Sequence, residues 1–191
     1  MNDQTHSKQP VNHEIILHGR TFKVMLTAEQ IANGVARVAR EIRDAYHDRN
    51  PIFIGVLTGG AIFTADLVRA CGLPCELNFV KLSSYEGMES TGQVRLVLPP
   101  PPDVENRHII LVEDIVDAGR TLHFFLPLLR EHRPASVALA TLLQKPDALR
   151  FPLEVDYKAF DIPDKFVVGY GLDYNQEGRH LPDLYELAPG E

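Results

Sequence analysis

His108-Ile-Ile-Leu-Val-Glu-Asp-Ile-Val-Asp-Ala-Gly-Arg-Thr121 is the stretch on which the reading of the fold turns. Ile109 to Val112 is a run of four apolar residues, three of them β-branched, the pattern of a strand buried on both faces of a parallel sheet. The strand is expected to stop there, with Glu113 and Asp114 placing two carboxylates at its carboxyl end. Asp117-Ala118-Gly119-Arg120-Thr121 then turns into an apolar-periodic run, which predicts a helix over Leu122 to Glu131, kinked or irregular at Pro127. A small-residue loop entering a helix leaves backbone N–H groups without intrahelical partners, and such groups bind phosphate. In open α/β sheets ligands lie beyond the carboxyl ends of strands, so the acids and the loop fall where a site is expected. The stretch offers ligands for sugar hydroxyls or a metal, a candidate acid or base, and a phosphate cradle.

A second unit of the same kind lies upstream. Pro51 to Leu57 reads as a buried strand, Thr58-Gly59-Gly60 as a turn, and Ala61 to Ala70 as an apolar helix. Glycine after a strand is by itself a weak sign of function, but two such loops in one sheet suit a ligand with two separate phosphate groups. The common nucleotide fingerprints, G-x-x-x-x-G-K-[ST] and G-x-G-x-x-G, are absent from the sequence.

Around these units the chain alternates strands and helices. Glu14 to Leu17 and Thr21 to Met25 flank a tight turn, and the capping box Thr27-Ala28-Glu29-Gln30 opens a helix over about 28–47. Further strands are predicted at Cys75 to Leu82, Val94 to Leu98, Ser136 to Leu143, Val155 to Phe160, Lys165 to Gly171 and Tyr185 to Leu187. Residues 1–12 read as a mobile tail, Ser83 to Gln93 as an insert or functional lid, and Pro99 to Pro102 as a stiff extended connection. The alternation implies an α/β protein whose mostly parallel central sheet carries helices on both faces.

Composition bounds the possibilities. A chain of 191 residues with 45% hydrophobic content buries one good core, so residues 13–191 are expected to form one domain. A formal net charge of −7 disfavours broad binding to nucleic acid or anionic membrane, which needs a positive surface. Cys71 and Cys75 lack a second Cys or His pair at metal spacing and read as buried reduced thiols. The N-terminus has no apolar signal core and no run approaches the ~18 residues of a membrane span, so a cytoplasmic protein is expected.

Val112-Glu-Asp-Ile-Val-Asp-Ala-Gly-Arg-Thr121 resembles the phosphoribosyl-pyrophosphate (PRPP) signature of type I phosphoribosyltransferases. Ser84-Tyr85, Leu57-Thr-Gly-Gly60, Lys145, Asp164-Lys-Phe-Val-Val-Gly-Tyr170 and Leu172-Asp-Tyr174 resemble the remaining motifs of the hypoxanthine-guanine branch. The resemblance runs in consistent order from about residue 14 to 187. It implies the type I fold with a small hood near 13–26 and 160–187 and a mobile lid near 83–95. It also implies a purine-salvage reaction in which a 6-oxopurine and PRPP give the nucleoside 5′-monophosphate and pyrophosphate, with Mg²⁺ as cofactor and a homodimer or homotetramer as the assembly.

The resemblance also assigns roles. Asp117, Ala118, Gly119, Arg120 and Thr121 would hold the 5′-phosphate, and Glu113 and Asp114 would bind the ribose hydroxyls or the metal with its waters. Leu57, Thr58, Gly59 and Gly60 would bind pyrophosphate through a turn that relatives often build with a cis peptide after the leucine. Arg179 would offset pyrophosphate charge, and Ser84 and Tyr85 would ride on the lid. Asp117 would handle the proton at purine nitrogen 7, its alternative being an N-cap of the following helix. Lys145 would donate to the 6-oxo group and so reject adenine. Phe166 would stack on the base and Val167 would read its edge through its backbone, ordinary strand core being the alternative for both. Asp173 would reach Mg²⁺. For Arg179 the alternative is a solvated surface arginine, and for Glu113 and Asp114 a solvated strand end.

Two residues depart from the family pattern, Thr58 where many relatives carry Lys and Ala118 where Thr is usual. Two other functions remain open at this level: a xanthine-preferring enzyme, and a nucleotide-sensing regulator reusing the fold. The acidic balance and the survival of Asp117 with Ser84-Tyr85 speak against the regulator.

Overall fold

The structure, a computed structural model, describes residues 14–84, 94–101 and 103–190. Two antiparallel strands, β1 (Glu14–Leu17) and β2 (Arg20–Leu26), open the described chain. Helix α1 (Ala28–Tyr46) starts at the capping box read from sequence: the Thr27 side chain accepts from the Gln30 N–H, and the Gln30 side chain accepts from the Thr27 N–H. Its apolar positions Ile31, Val35, Val38 and Ile42 are all buried, as helical spacing onto one face requires.

Six strands form the central sheet, in the order β5 (Val94–Leu98), β4 (Glu76–Ser84), β3 (Ile52–Leu57), β6 (His108–Val116), β7 (Ser136–Gln144) and β8 (Tyr157–Asp161). Only the β4–β5 pair is antiparallel. Helix α2 (Ala61–Cys71) follows β3, and α3 (Arg120–Glu131) follows β6. Ile110 and Val112 of β6 pack into the cluster that holds the buried residues of α1 and α2, whereas Ile109 and Leu111 pack with Leu122, Phe125 and Leu129 of α3. Alternate residues of one strand therefore serve two cores, which is why the run is apolar without interruption. Each such side chain contributes roughly 1.5–3 kcal/mol by leaving water.

A four-stranded antiparallel sheet, β1-β2-β10-β9, joins the two ends of the described chain, with β9 at Val167–Val168 and β10 at Leu184–Leu187. These segments are those in which the resemblance placed the hood.

Three boundaries differ from expectation. Strand β6 continues through Glu113 and Asp114 to Val116, because β7 pairs with it that far, Glu113 lying beside Thr141 and Ile115 beside Leu143. Helix α3 begins two residues earlier than expected and passes through Pro127 as one element, with the proline on its exposed side. The strand expected over Lys165 to Gly171 is only two residues long, because Gly169, Tyr170 and Gly171 all take positive φ and turn the chain back. Cys71 is buried and Cys75 half-buried, both as free thiols, and burial pushes the Cys71 thiol up to about 12. Tyr85, the Ser84 side chain and most of the expected lid lie outside the described residues. Among those described, no helix is long and apolar enough to cross a membrane.

Because β3, β6, β7 and β8 are parallel, their carboxyl ends lie on one edge of the sheet. The segments that follow them, Thr58 to Gly60, Asp117 to Gly119, Lys145 and Ile162 to Phe166, meet along that edge.

Candidate active site

A cleft of about 860 Å³ opens above the central strands, lined by Glu113, Asp117 to Leu122, Arg150 and Asp164. A second lobe of about 350 Å³ shares Glu113, Ile115 and Asp117 with it and adds Gly59, Asp114, Lys145, Phe166, Asp173 and Arg179. The two share a wall and together gather residues from five segments of the sequence.

The end of the cleft beside α3 is a built loop. Gly119, with φ +77, caps α3 in the left-handed region, and its carbonyl accepts from the His123 N–H at 2.9 Å. The Ala118 carbonyl accepts from the N–H groups of both Arg150 and Phe151, each at 3.1 Å, so the loop is fastened from behind by the segment after Lys145. The Arg120 guanidinium lies over the Phe151 ring, 5.4 Å from its centroid. The first N–H groups of an α-helix have no intrahelical partner, and the residues at the start of α3 line the cleft. The Asp117 side chain makes no cap hydrogen bond to α3, which removes the N-cap alternative for that residue.

Asp117 instead faces Lys145. The lysine leaves the end of β7 with a buried side chain, and its Nζ donates to Asp117 Oδ2 at 3.0 Å and to Asp164 Oδ1 at 3.2 Å. Its backbone N–H donates to Val116 O at 2.9 Å, which anchors it to the adjacent strand end. Phe166 is 47% exposed, far too open for strand core, with its ring edge-on to Tyr174 at 5.5 Å. Val167 is buried in β9, pairs with Glu186 of β10 and lines the same lobe as Phe166.

At the opposite wall the Leu57–Thr58 peptide is cis. The turn closes with Gly60 N–H donating to Val56 O and Ala61 N–H to Thr58 O. Gly171, at φ +102, lies so close to Gly59 O that a Cβ there would approach it to 2.3 Å. Arg179 donates to Gly171 O at 2.7 Å and pairs with Asp173, whose other oxygen accepts from the Gln176 N–H at 2.8 Å. Arg179 is therefore a fixed wall of the cleft, not a solvated surface arginine.

Glu113 and Asp114 stand side by side in β6, and burial, followed by the neighbouring Asp114 charge, pushes the Glu113 carboxyl well above the usual carboxylate range. Two crowded carboxylates with Asp173 on the same lobe match the oxygen preference of a hard divalent cation. Among the described residues no three His, Cys, Asp or Glu side chains form a closed cage, so such an ion would take its remaining ligands from substrate and water.

Sequence reading missed Asp164 as a partner of Lys145, and missed the fastening of Ala118 by Arg150 and Phe151. The first carried a signal, because Asp164 stands two residues before Phe166. The second depends on two backbone N–H groups that no side-chain pattern reports.

A mostly parallel open sheet, with a glycine-containing loop and a helix after one strand and a carboxylate pair at that strand's end, is the architecture of an α/β protein whose ligand site lies at the carboxyl edge of the sheet. The chain matches the phosphoribosyl transferase domain over residues 24–175 and belongs to that family. It is 42% identical over 178 residues to the hypoxanthine-guanine phosphoribosyltransferase of Mycobacterium avium, spanning 90% of this chain and 88% of that protein. The crystal structure of a hypoxanthine phosphoribosyltransferase from Staphylococcus aureus matches it with a TM-score of 0.83 at 35% identity, over 87% of this chain and 91% of that one. The bifunctional protein TilS/HprT of Listeria monocytogenes is 37% identical over 174 residues, and the chain spans 27% of that protein's length.

Proposed function

We propose that the chain is a purine-salvage enzyme that transfers the 5-phosphoribosyl group of PRPP to a 6-oxopurine, hypoxanthine or guanine, giving IMP or GMP and pyrophosphate. The observation that carries this reading is the Lys145 ammonium 3.0 Å from Asp117, in a lobe lined also by the half-exposed Phe166 and sharing Asp117 with the cleft along the loop into α3. Phe166 stacks on the base and Lys145 donates to its 6-oxo group. The N–H groups of Asp117 to Thr121 hold the 5′-phosphate, while Glu113 and Asp114 accept from the ribose hydroxyls. The Thr58–Gly60 turn and Arg179 receive pyrophosphate. As the bond from ribose C1′ to pyrophosphate breaks, its electron pair leaves with pyrophosphate; purine N9 donates the pair that forms the new bond, and Asp117 accepts the proton from N7. Asp173, Glu113 and Asp114 would hold Mg²⁺ on their side of the cleft, where it would supply positive charge against the pyrophosphate. Ser84 and Tyr85 belong to the lid that excludes water from the cationic sugar. We assign the enzyme to the cytoplasm as a homodimer or homotetramer.

The test is an ultraviolet assay of nucleotide formation with PRPP and Mg²⁺, offering hypoxanthine, guanine, xanthine and adenine in turn. Turnover of hypoxanthine or guanine without adenine is expected. Dominant turnover of xanthine replaces the base assignment, and no turnover with any base leaves the regulator reading.

Ala118 gives a smaller effect. Its carbonyl is already fastened, so the missing hydroxyl removes one donor from a loop that stays formed. Ala118→Thr is expected to tighten PRPP binding by about ten-fold, the low end of what one charge-assisted hydrogen bond is worth. Calorimetric dissociation constants that match between the two proteins would refute a role for that hydroxyl.

A further inference from the structure

An ammonium carries three N–H donors, and a buried one must place them all. Lys145 spends two, on Asp117 Oδ2 and Asp164 Oδ1. Its side chain is 8% exposed, against 52% for Asp117 and 64% for Asp164, so the nitrogen is the fixed point and the carboxylates reach in from the cleft side. The three residues come from three separate connections: Lys145 follows β7, Asp117 lies between β6 and α3, and Asp164 lies between β8 and β9. Lys165, the residue after Asp164, is occupied by Glu186 at 2.8 Å.

We propose that Asp164 is a positioning residue for base recognition. It holds the Lys145 ammonium between two carboxylates, so that the third donor is left for the 6-oxo group in the lobe beside Phe166. Without Asp164 the ammonium keeps one carboxylate and closes on Asp117, the group that must stay open to purine N7. Asp164 also keeps a negative partner on the ammonium at the moment Asp117 accepts the N7 proton and becomes neutral. Two functions that the site needs within about 3 Å of each other, reading the 6-oxo group and handling the N7 proton, are thereby kept on separate atoms. The inference rests on the reaction proposed above and adds to it a second carboxylate on the lysine.

Steady-state kinetics of the full chain with Asp164→Ala and Asp164→Asn test it, varying base and PRPP separately. The KM for hypoxanthine is expected to rise roughly 10-fold in Asp164→Ala, in keeping with one lost charge-assisted bond. Asp164→Asn keeps an acceptor oxygen and is expected to fall between that variant and the unmodified chain. The KM for PRPP should stay within about two-fold in both, a split that general loosening of the fold would not produce. An unchanged hypoxanthine KM in Asp164→Ala overturns the inference, and so does a parallel rise of both KM values. Absence of turnover in the unmodified chain overturns the reaction and this inference together, whereas turnover there with an indifferent Asp164→Ala overturns the inference alone.

Discussion

Asp117→Asn is expected to lower kcat by about 10²–10⁴-fold, the usual contribution of a positioned acid or base, while PRPP affinity stays within a few fold. The structure separates these two quantities. Gly119 and not Asp117 caps α3, so the substitution removes no cap and leaves the phosphate-facing N–H groups where they are. The amide oxygen of Asn can still accept from Lys145, and Asp164 retains its own bond to that nitrogen. What disappears is a carboxylate able to take the proton from purine N7. Single-turnover rates with hypoxanthine, alongside calorimetric binding of PRPP, measure the two effects independently. Near-normal turnover in Asp117→Asn would mean that the side chain serves only to hold Lys145, and the proton must then leave by another route. Loss of PRPP affinity in step with kcat would instead mean that the loop had collapsed.

That separation shows which parts of the site the sequence carries and which it does not. The buried strand, the small-residue loop and the helix behind it were legible because each is a local pattern: an unbroken apolar run, small residues, then helical periodicity. The capping box at Thr27 was legible for the same reason. The end of β6 was not, because two acids look like a strand terminus while the ladder to β7 carries the strand on to Val116. The N-cap alternative for Asp117 failed on a backbone detail, the left-handed Gly119 that takes the cap position itself. The Lys145–Asp164 pair spans 19 residues and forms only because parallel strands deliver both connections to one sheet edge. Side-chain chemistry named the participants, and sheet register decided which of them touch.

Register also produces the second large effect, at Gly59. Strands β3 and β6 run side by side with Gly55 opposite Val112, which brings the turn after β3 against the acids of β6. A Cβ at Gly59 would lie 1.6 Å from Asp114 Oδ2 and 2.7 Å from its Cγ. Gly59→Ala must therefore displace the Asp114 carboxylate, whose other oxygen accepts from the Ile115 N–H at 2.9 Å. The obstacle is the end of a side chain, which can swing aside, so folding should tolerate the change. Gly171→Ala is the contrast, since there the obstacle is the Gly59 carbonyl and φ is +102, a combination that forces backbone to move. For Gly59→Ala a thermal midpoint within a few degrees of the unmodified chain is expected, because no buried apolar contact is lost. The kcat/KM for PRPP is expected to fall about 10²-fold, the scale associated with displacing a substrate-positioning group by about an ångström. A double variant, Gly59→Ala with Asp114→Ala, removes the collision, and its kcat/KM should be no lower than that of Asp114→Ala alone. If Gly59→Ala lowers activity further when Asp114 is already absent, the glycine acts through its own backbone on pyrophosphate, and the steric coupling between the two walls of the cleft is not the cause.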